Sequence, residues 1–144
     1  MRYSCTLELA LPRDKVIALF DDPDNLAKWQ EGLVSFEPLS GTPGEPGAKS
    51  RLTYKMGKRT VVMTETVTER NLPETFSGTY EADGVWNGVA NRFTALDGDR
   101  TRWDMDCEFQ GKGLMRVMMV LFPGMFRKQT AKMMQSFKDF AESE

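Results

Sequence analysis

Residues 33–110 form a succession of short alternating segments cut by turn-forming clusters, and no other feature restricts the fold so strongly. Residues 33–39 run into the Gly/Pro-rich stretch 40–47. Ser50, Leu52, Tyr54 and Met56 then alternate up to Gly57 and Lys58, and residues 59–70 are rich in Val and Thr. Turn-forming residues at 71–73, 82–84 and 97–99 separate the three segments that follow. Period-two alternation marks half-buried strands, and connections this short join antiparallel neighbours. Residues 2–11 carry the same pattern in Tyr3, Cys5, Leu7, Leu9 and Leu11, which adds a seventh strand.

Between the first strand and the other six, Pro12 opens a helix with Val16, Leu19 and Phe20 on its apolar stripe. Asp22 and Pro23 restart the pattern as N-cap and first helical residue, followed by Leu26 and Trp29, and Gly32 ends it. After the strands, residues 113–140 read as helix interrupted at Pro123-Gly124, and six of the ten methionines lie between Met115 and Met134. An antiparallel sheet of seven strands needs a cover for its apolar face, and only this C-terminal helix is long enough. The expected architecture is α+β: a curved seven-stranded sheet around a long C-terminal helix, with two short helices between strands 1 and 2. A cavity lies between sheet and helix. Methionine adapts to irregular shapes, so a Met-rich wall suits a cavity whose contents vary, although Met also simply fills cores.

The chain's 144 residues are one domain's worth, expected to span 1–144, and 40% hydrophobic with 28% charged residues is ordinary globular composition. A net charge of −2 with both signs spread along the chain argues against a nucleic-acid binder. No segment carries the roughly 20 apolar residues of a membrane span. Residues 1–8 lack the apolar core of a signal peptide, so a cytoplasmic location is expected. There is no histidine, which removes Ser-His-Asp and Cys-His schemes, His-ligated metals and the commonest general base. Cys5 and Cys107 form no metal motif and read as buried thiols, able to pair only if their strands are neighbours.

The run from Pro12 to Val16 into Leu19-Phe20 and Pro23, Trp29, and Leu39-Ser40-Gly41 before the glycine-rich loop resemble the START-like SRPBCC superfamily. So do Glu65 before Val67, Leu72-Pro73, Thr101-Arg102-Trp103, and a final helix with a Phe-Pro-Gly interruption and Phe137-Lys138. The resemblance covers nearly the whole chain and implies the helix-grip fold. That superfamily includes polyketide cyclases, coenzyme-Q-binding proteins, pollen-allergen-like carriers and lipid-transfer domains. Its members share a cavity rather than a catalytic motif, so no residue roles carry over.

Candidate lining residues therefore come from alternation. If Leu52, Tyr54 and Met56 face inward with Phe76, Gly78 and Tyr80, the matching face holds Met63, Glu65 and Val67. It continues with Asn87, Val89, Asn91 and Phe93, then Trp103, Met105 and Cys107. Met118, Leu121, Phe122, Met125, Met133 and Phe137 would close the helical wall. Such a lining is mostly apolar, as small-molecule pockets are. Glu65, Tyr80, Asn87 and Asn91 are the polar exceptions. A Glu65 buried without a cation would have a raised pKa and could act as acid or base; the alternative is a cross-strand ion pair or a solvated edge. The two asparagines would orient a ligand carbonyl or hydroxyl, or else satisfy neighbouring backbone.

Asp104, Asp106 and Glu108 read as a wet outer face rather than a hard-cation site. Arg116, Arg127, Lys128, Lys132 and Lys138 read as the polar face of the last helix, with a weak attraction to anionic lipid as the alternative. The expectation is a binding protein or carrier for a lipid, quinone or polyketide-like aromatic, with no cofactor and no metal. A cyclase or dehydratase using Glu65 or Tyr80 is the alternative. A third reading is a docking module: residues 117–122 are apolar nearly all round, so Met118 and Met119 would contact a lid, a partner or a second subunit.

Overall fold

The computed structural model describes all 144 residues, Met1–Glu144. The element order is β1 (Arg2–Leu9), α1 (Arg13–Phe20), a 3-10 turn (Pro23–Asn25), α2 (Leu26–Trp29), β2 (Leu33–Ser40), β3 (Lys49–Met56) and β4 (Arg59–Asn71). It continues with β5 (Thr75–Ala82), β6 (Val85–Asp97), β7 (Arg100–Gly111), α3 (Leu114–Leu121) and α4 (Pro123–Ser143). All seven strands form one antiparallel sheet in the order β1-β7-β6-β5-β4-β3-β2. The meander from β2 to β7 follows from the short turns, and β1 closes it by pairing with β7, Tyr3 opposite Cys107 and Leu9 opposite Thr101. This is the helix-grip arrangement, the curved sheet wrapped around the C-terminal helix.

The entry to the short helices follows the chemistry of their first residues. Asp22 accepts the Asp24 N–H at 2.9 Å, with Pro23 at the first helical position. The C-terminal helix is two helices. Pro123 has no N–H to offer the preceding turn and pushes Phe122 out of helical geometry, to φ −133° and ψ 57°, so α3 stops at Leu121 and Pro123 opens α4.

The core fills one half of the concavity. Phe20 makes edge-on contacts to Phe76, Phe93, Trp103 and Phe137 and stacks near Trp29, with centroids 5.0–6.1 Å apart. Leu9, Val16, Met134 and Ala141 complete it. Aromatic pairs in this geometry contribute roughly 0.5–1.5 kcal/mol beyond the area they bury. On the convex side, Ser4 and Thr6 donate to Asp106 and Asp104, and Arg2 pairs with Glu108, which accounts for that acidic strand face. Cys5 and Cys107 lie on neighbouring strands but out of register with each other, since Cys5 faces Met105, and both thiols are free. One corner had no sequence signal. Arg70 reaches Asp21 at 2.6 and 2.8 Å and the Gly44 carbonyl at 3.4 Å, tying the end of α1 to the glycine-rich loop.

Candidate functional site

Register puts four polar side chains side by side across the concave face. Ser50 on β3 is opposite Glu65 on β4, Glu65 is opposite Tyr80 on β5, and Tyr80 is opposite Asn87 on β6. Directly opposed residues stand about 4.5–5.5 Å apart, so the four make a continuous polar row. The next row on one side is Val67, Gly78, Val89 and Cys107, all apolar or small. On the other side Met63 faces Leu52. Tyr54, further along β3, donates its hydroxyl to the Gln30 carboxamide at the end of α2.

Two facts define the electrostatics of this row. Glu65 has no cation: its cross-strand neighbours are Ser50 and Tyr80, and it takes part in no ion pair, so the salt-bridge alternative does not hold. Burial therefore pushes its carboxyl pKa up, and contact with the Tyr80 phenol offsets this in part. Tyr80 is raised well above the ordinary tyrosine value, first by burial and then by the Glu65 charge, and Tyr54 is raised by the same two causes. Glu65, Tyr80 and Asn87 are nevertheless only half-buried by surface accessibility.

The two asparagines, four apart on β6, have different fates. Asn91 donates to the Phe76 carbonyl at 3.2 Å and accepts the Trp103 indole N–H at 2.9 Å, so both ends of its amide serve the core. Asn87 Oδ1 is buried and has no donor, and the Trp29 indole N–H likewise has no acceptor. A buried polar atom without a partner costs about 1–3 kcal/mol and calls for an explanation, of which a ligand is one. Asn91→Ala is accordingly expected to lower stability by about 2–3 kcal/mol, while Asn87→Leu, which removes an already unpaired group, changes it by less than about 0.5 kcal/mol. Urea denaturation of both variants checks the contrast; equal losses would mean that Asn87 is structural as well.

The remaining lining residues divide by depth. Met63, Phe76, Val89, Met118 and Met133 are half-buried, and Tyr54 is buried. Trp103 and Met105 share the face but belong to the closed core, with 0% and 3% of their surface exposed, and so offer a ligand nothing, like Asn91. Met56 sits exposed at the β3–β4 turn. Phe122 and Met125, expected to close the helical wall, stand out at the α3–α4 break with 53% and 48% exposed, because that break carries the chain away from the sheet. Gln30 and Ser50 join the polar group although sequence reasoning passed over them. Ser50 shares the alternation of Tyr54, which could have marked it; Gln30 carries no such signal. A surface depression on the convex side, around Thr68, Thr79, Trp86 and Gly88, contains none of the four residues of the polar row.

The family described as polyketide cyclase / dehydrase and lipid transport matches residues 2–142. No curated protein matches the chain. Among solved structures, the Zhui aromatase/cyclase from Streptomyces sp. R1128 is similar with a TM-score of 0.79 at 16% identity, over 99% of this chain and 93% of that one. A START superfamily protein from Mycobacterium smegmatis aligns with a TM-score of 0.77 at 15% identity, over 99% and 97%. Norcoclaurine synthase from Thalictrum flavum, in complex with dopamine and hydroxybenzaldehyde, aligns with a TM-score of 0.73 at 14% identity, over 100% and 87%. At these identities the likeness is one of fold.

Proposed function

Because the chain belongs to the polyketide cyclase/dehydrase and lipid transport family, we propose that residues 1–144 act as one unit holding a hydrophobic small molecule in the concavity beneath α4. The unpartnered Asn87 Oδ1, at the end of the Ser50–Glu65–Tyr80–Asn87 row and among apolar walls, carries this reading. The row also describes the ligand. Asn87 Oδ1 is an acceptor and calls for a ligand hydroxyl or N–H; Glu65, when it carries its proton, is a donor and suits a carbonyl. Met63, Phe76, Val89, Met118 and Met133 take the apolar body. A quinone, a polyketide-like aromatic or a lipid with an oxygenated end fits that set. Native mass spectrometry, followed by denaturation and organic extraction, tests it. A defined extra mass released as such a molecule is the expected result. A bare mass, with no adduct after incubation with a ubiquinone analogue, an anthraquinone or a fatty alcohol, would overturn it.

The raised Glu65 carboxyl in contact with Tyr80 favours a second reading, a cyclase or dehydratase in which Glu65 moves a proton on a substrate folded by the cavity. The likeness in fold to an aromatase/cyclase and to norcoclaurine synthase lends it support by analogy. Glu65→Gln separates the two: turnover disappears in the enzyme, whereas binding of a neutral ligand persists. The same variant has a signature in stability. A carboxyl whose folded pKa lies above its unfolded value, ordinarily about 4.3, binds its proton more tightly in the folded state. Its stabilising contribution is complete below the unfolded pKa and is lost as pH rises through the folded one. Glu65→Gln is expected to remove that decline and to be the more stable protein at neutral pH, read from urea midpoints across pH 4–8. An unchanged pH profile would show that Glu65 is solvated.

A further inference from the structure

The end of the molecule that bears α3 has an uncommon surface. Leu114 and Val120 are 75% and 73% exposed, and Val117, Leu121, Phe122 and Met125 are exposed beside them. α3 buries only Met119, which lies against Gly111, so most of a nearly all-apolar helix faces outward. A soluble protein rarely leaves such a continuous patch uncovered without a use for it.

The charges around it share one sign. Between Gln110 and Lys138 the chain carries six basic residues and no acidic one, although its net charge is −2. Lys132 pairs with Glu31 and Lys138 with Glu142, but Lys112, Arg116, Arg127 and Lys128 take part in no ion pair. The β3–β4 turn lies at the same end of the sheet. β4 runs five residues past Thr64, the last to pair with β5, which is roughly 17 Å of strand. Its tip adds Lys55, Lys58 and Arg59, also unpaired, around the exposed Met56. Of the acidic residues, Glu81 and Asp83 at the β5–β6 turn and Glu31, which pairs with Lys132, also lie at this end.

We propose that this end docks on anionic membrane surfaces, with α3 lying in the headgroup region and the basic residues on the lipid phosphates, so that the cavity exchanges its ligand with the bilayer. An apolar helix face bordered by Lys and Arg is the chemistry of interfacial binding. A second copy fits less well. A twofold contact through α3 would set Lys112, Arg116, Arg127 and Lys128 against the same four cations of the partner, a like-charge juxtaposition that opposes association. The exchange rests on the cavity reading; the docking does not.

The test is flotation of the whole protein with vesicles of phosphatidylcholine, with and without about one-third phosphatidylglycerol. Binding is expected to the anionic vesicles, at least tenfold weaker to the neutral ones, and to fall about tenfold between about 0.1 M and 0.5 M salt. Leu114→Glu with Val120→Glu, and separately Lys112→Glu with Arg116→Glu, are expected to lose binding by more than tenfold while circular dichroism remains that of the parent. The proposal is overturned if the parent does not float with anionic vesicles or if both double variants float like it. It is equally overturned if sedimentation shows a dimer that the Leu114/Val120 variant splits and no vesicle binding. Ligand adducts measured by native mass spectrometry on the Leu114/Val120 variant keep the two readings apart: an adduct without flotation leaves the cavity standing, and flotation without an adduct leaves the docking.

Discussion

Trp103→Ala is expected to lower stability by about 4–6 kcal/mol, enough to leave the chain largely unfolded at 37 °C. Trp103 has no exposed surface; it lies parallel to Phe93 at 5.8 Å between centroids and edge-on to Phe20 and Phe137 at 5.8 and 5.3 Å. Removing an indole from such a cluster costs about 3–5 kcal/mol, because rings held by several neighbours cannot all collapse into the gap. The change also deprives Asn91 Oδ1 of its donor, adding about 1 kcal/mol or more for an unsatisfied buried oxygen. Thermal denaturation followed by circular dichroism should show a midpoint lower by on the order of 15 °C or no cooperative transition. Trp103→Phe, which keeps a ring and loses only the hydrogen bond and part of the volume, should fall between. A loss under about 1 kcal/mol for the alanine variant would refute the closed aromatic cluster.

The second large effect lies at the corner between α2 and β2. Gly32 has φ +83°, a conformation costly for any residue with a side chain, and a Cβ there would stand 2.6 Å from the Lys55 carbonyl oxygen. The clash is with backbone, which cannot rotate aside, and the corner is held by the Lys55 N–H donating to the Gly32 carbonyl at 2.8 Å. Gly32→Ala is therefore expected to cost about 3 kcal/mol, part backbone strain and part overpacking. Gly57→Ala is the control, with φ +65° but nothing within 4 Å of the added carbon, and should cost only about 1 kcal/mol. The Gln30–Tyr54 hydrogen bond lies beside the Gly32 clash, so the variant should lose ligand affinity along with stability. Equal losses in the two glycine variants would show that the corner yields.

The fold was legible because the signals that define it are local. Alternation within each strand and short turns between them set both the antiparallel meander and the face to which Tyr54, Glu65, Tyr80 and Asn87 point. Depth was not legible. Trp103 and Met105 alternate in phase with Val89 and Phe76, yet the first two are closed core and the other two are only half-buried, because α1 and α4 cover only part of the sheet. Asn87 and Asn91 look equivalent in sequence; what distinguishes them is an indole 12 residues further on. The terminal helix shows the same limit. A run of methionines and valines reads as a wall, and nothing local says that Met119 turns inward while Val120 faces out. Met118 and Met119, taken from sequence as docking contacts, are half-buried and buried, so truncating them would disturb packing rather than probe a surface. The polar row itself could be read only as far as its members; that Glu65 would meet no cation is a property of register across three strands.

The pairing of β1 with β7 has a consequence for how the chain comes into being. Leu9 meets Thr101 and Arg2 meets Glu108, so the first strand has no partner until the last one exists. During synthesis at roughly 5–20 residues per second, the β1 segment waits on the order of 5–20 s as an unpaired apolar strand. Separations this large also raise the loop-closure entropy that must be overcome before the sheet closes. The nascent chain can thus assemble its hairpins in order from β2 onward, but the core around Trp103 closes only when β7 has left the ribosome, and α4 can settle only after that. Folding of this domain therefore waits for β7, and the waiting segment 2–9 is the part most exposed to chaperones or to mispairing.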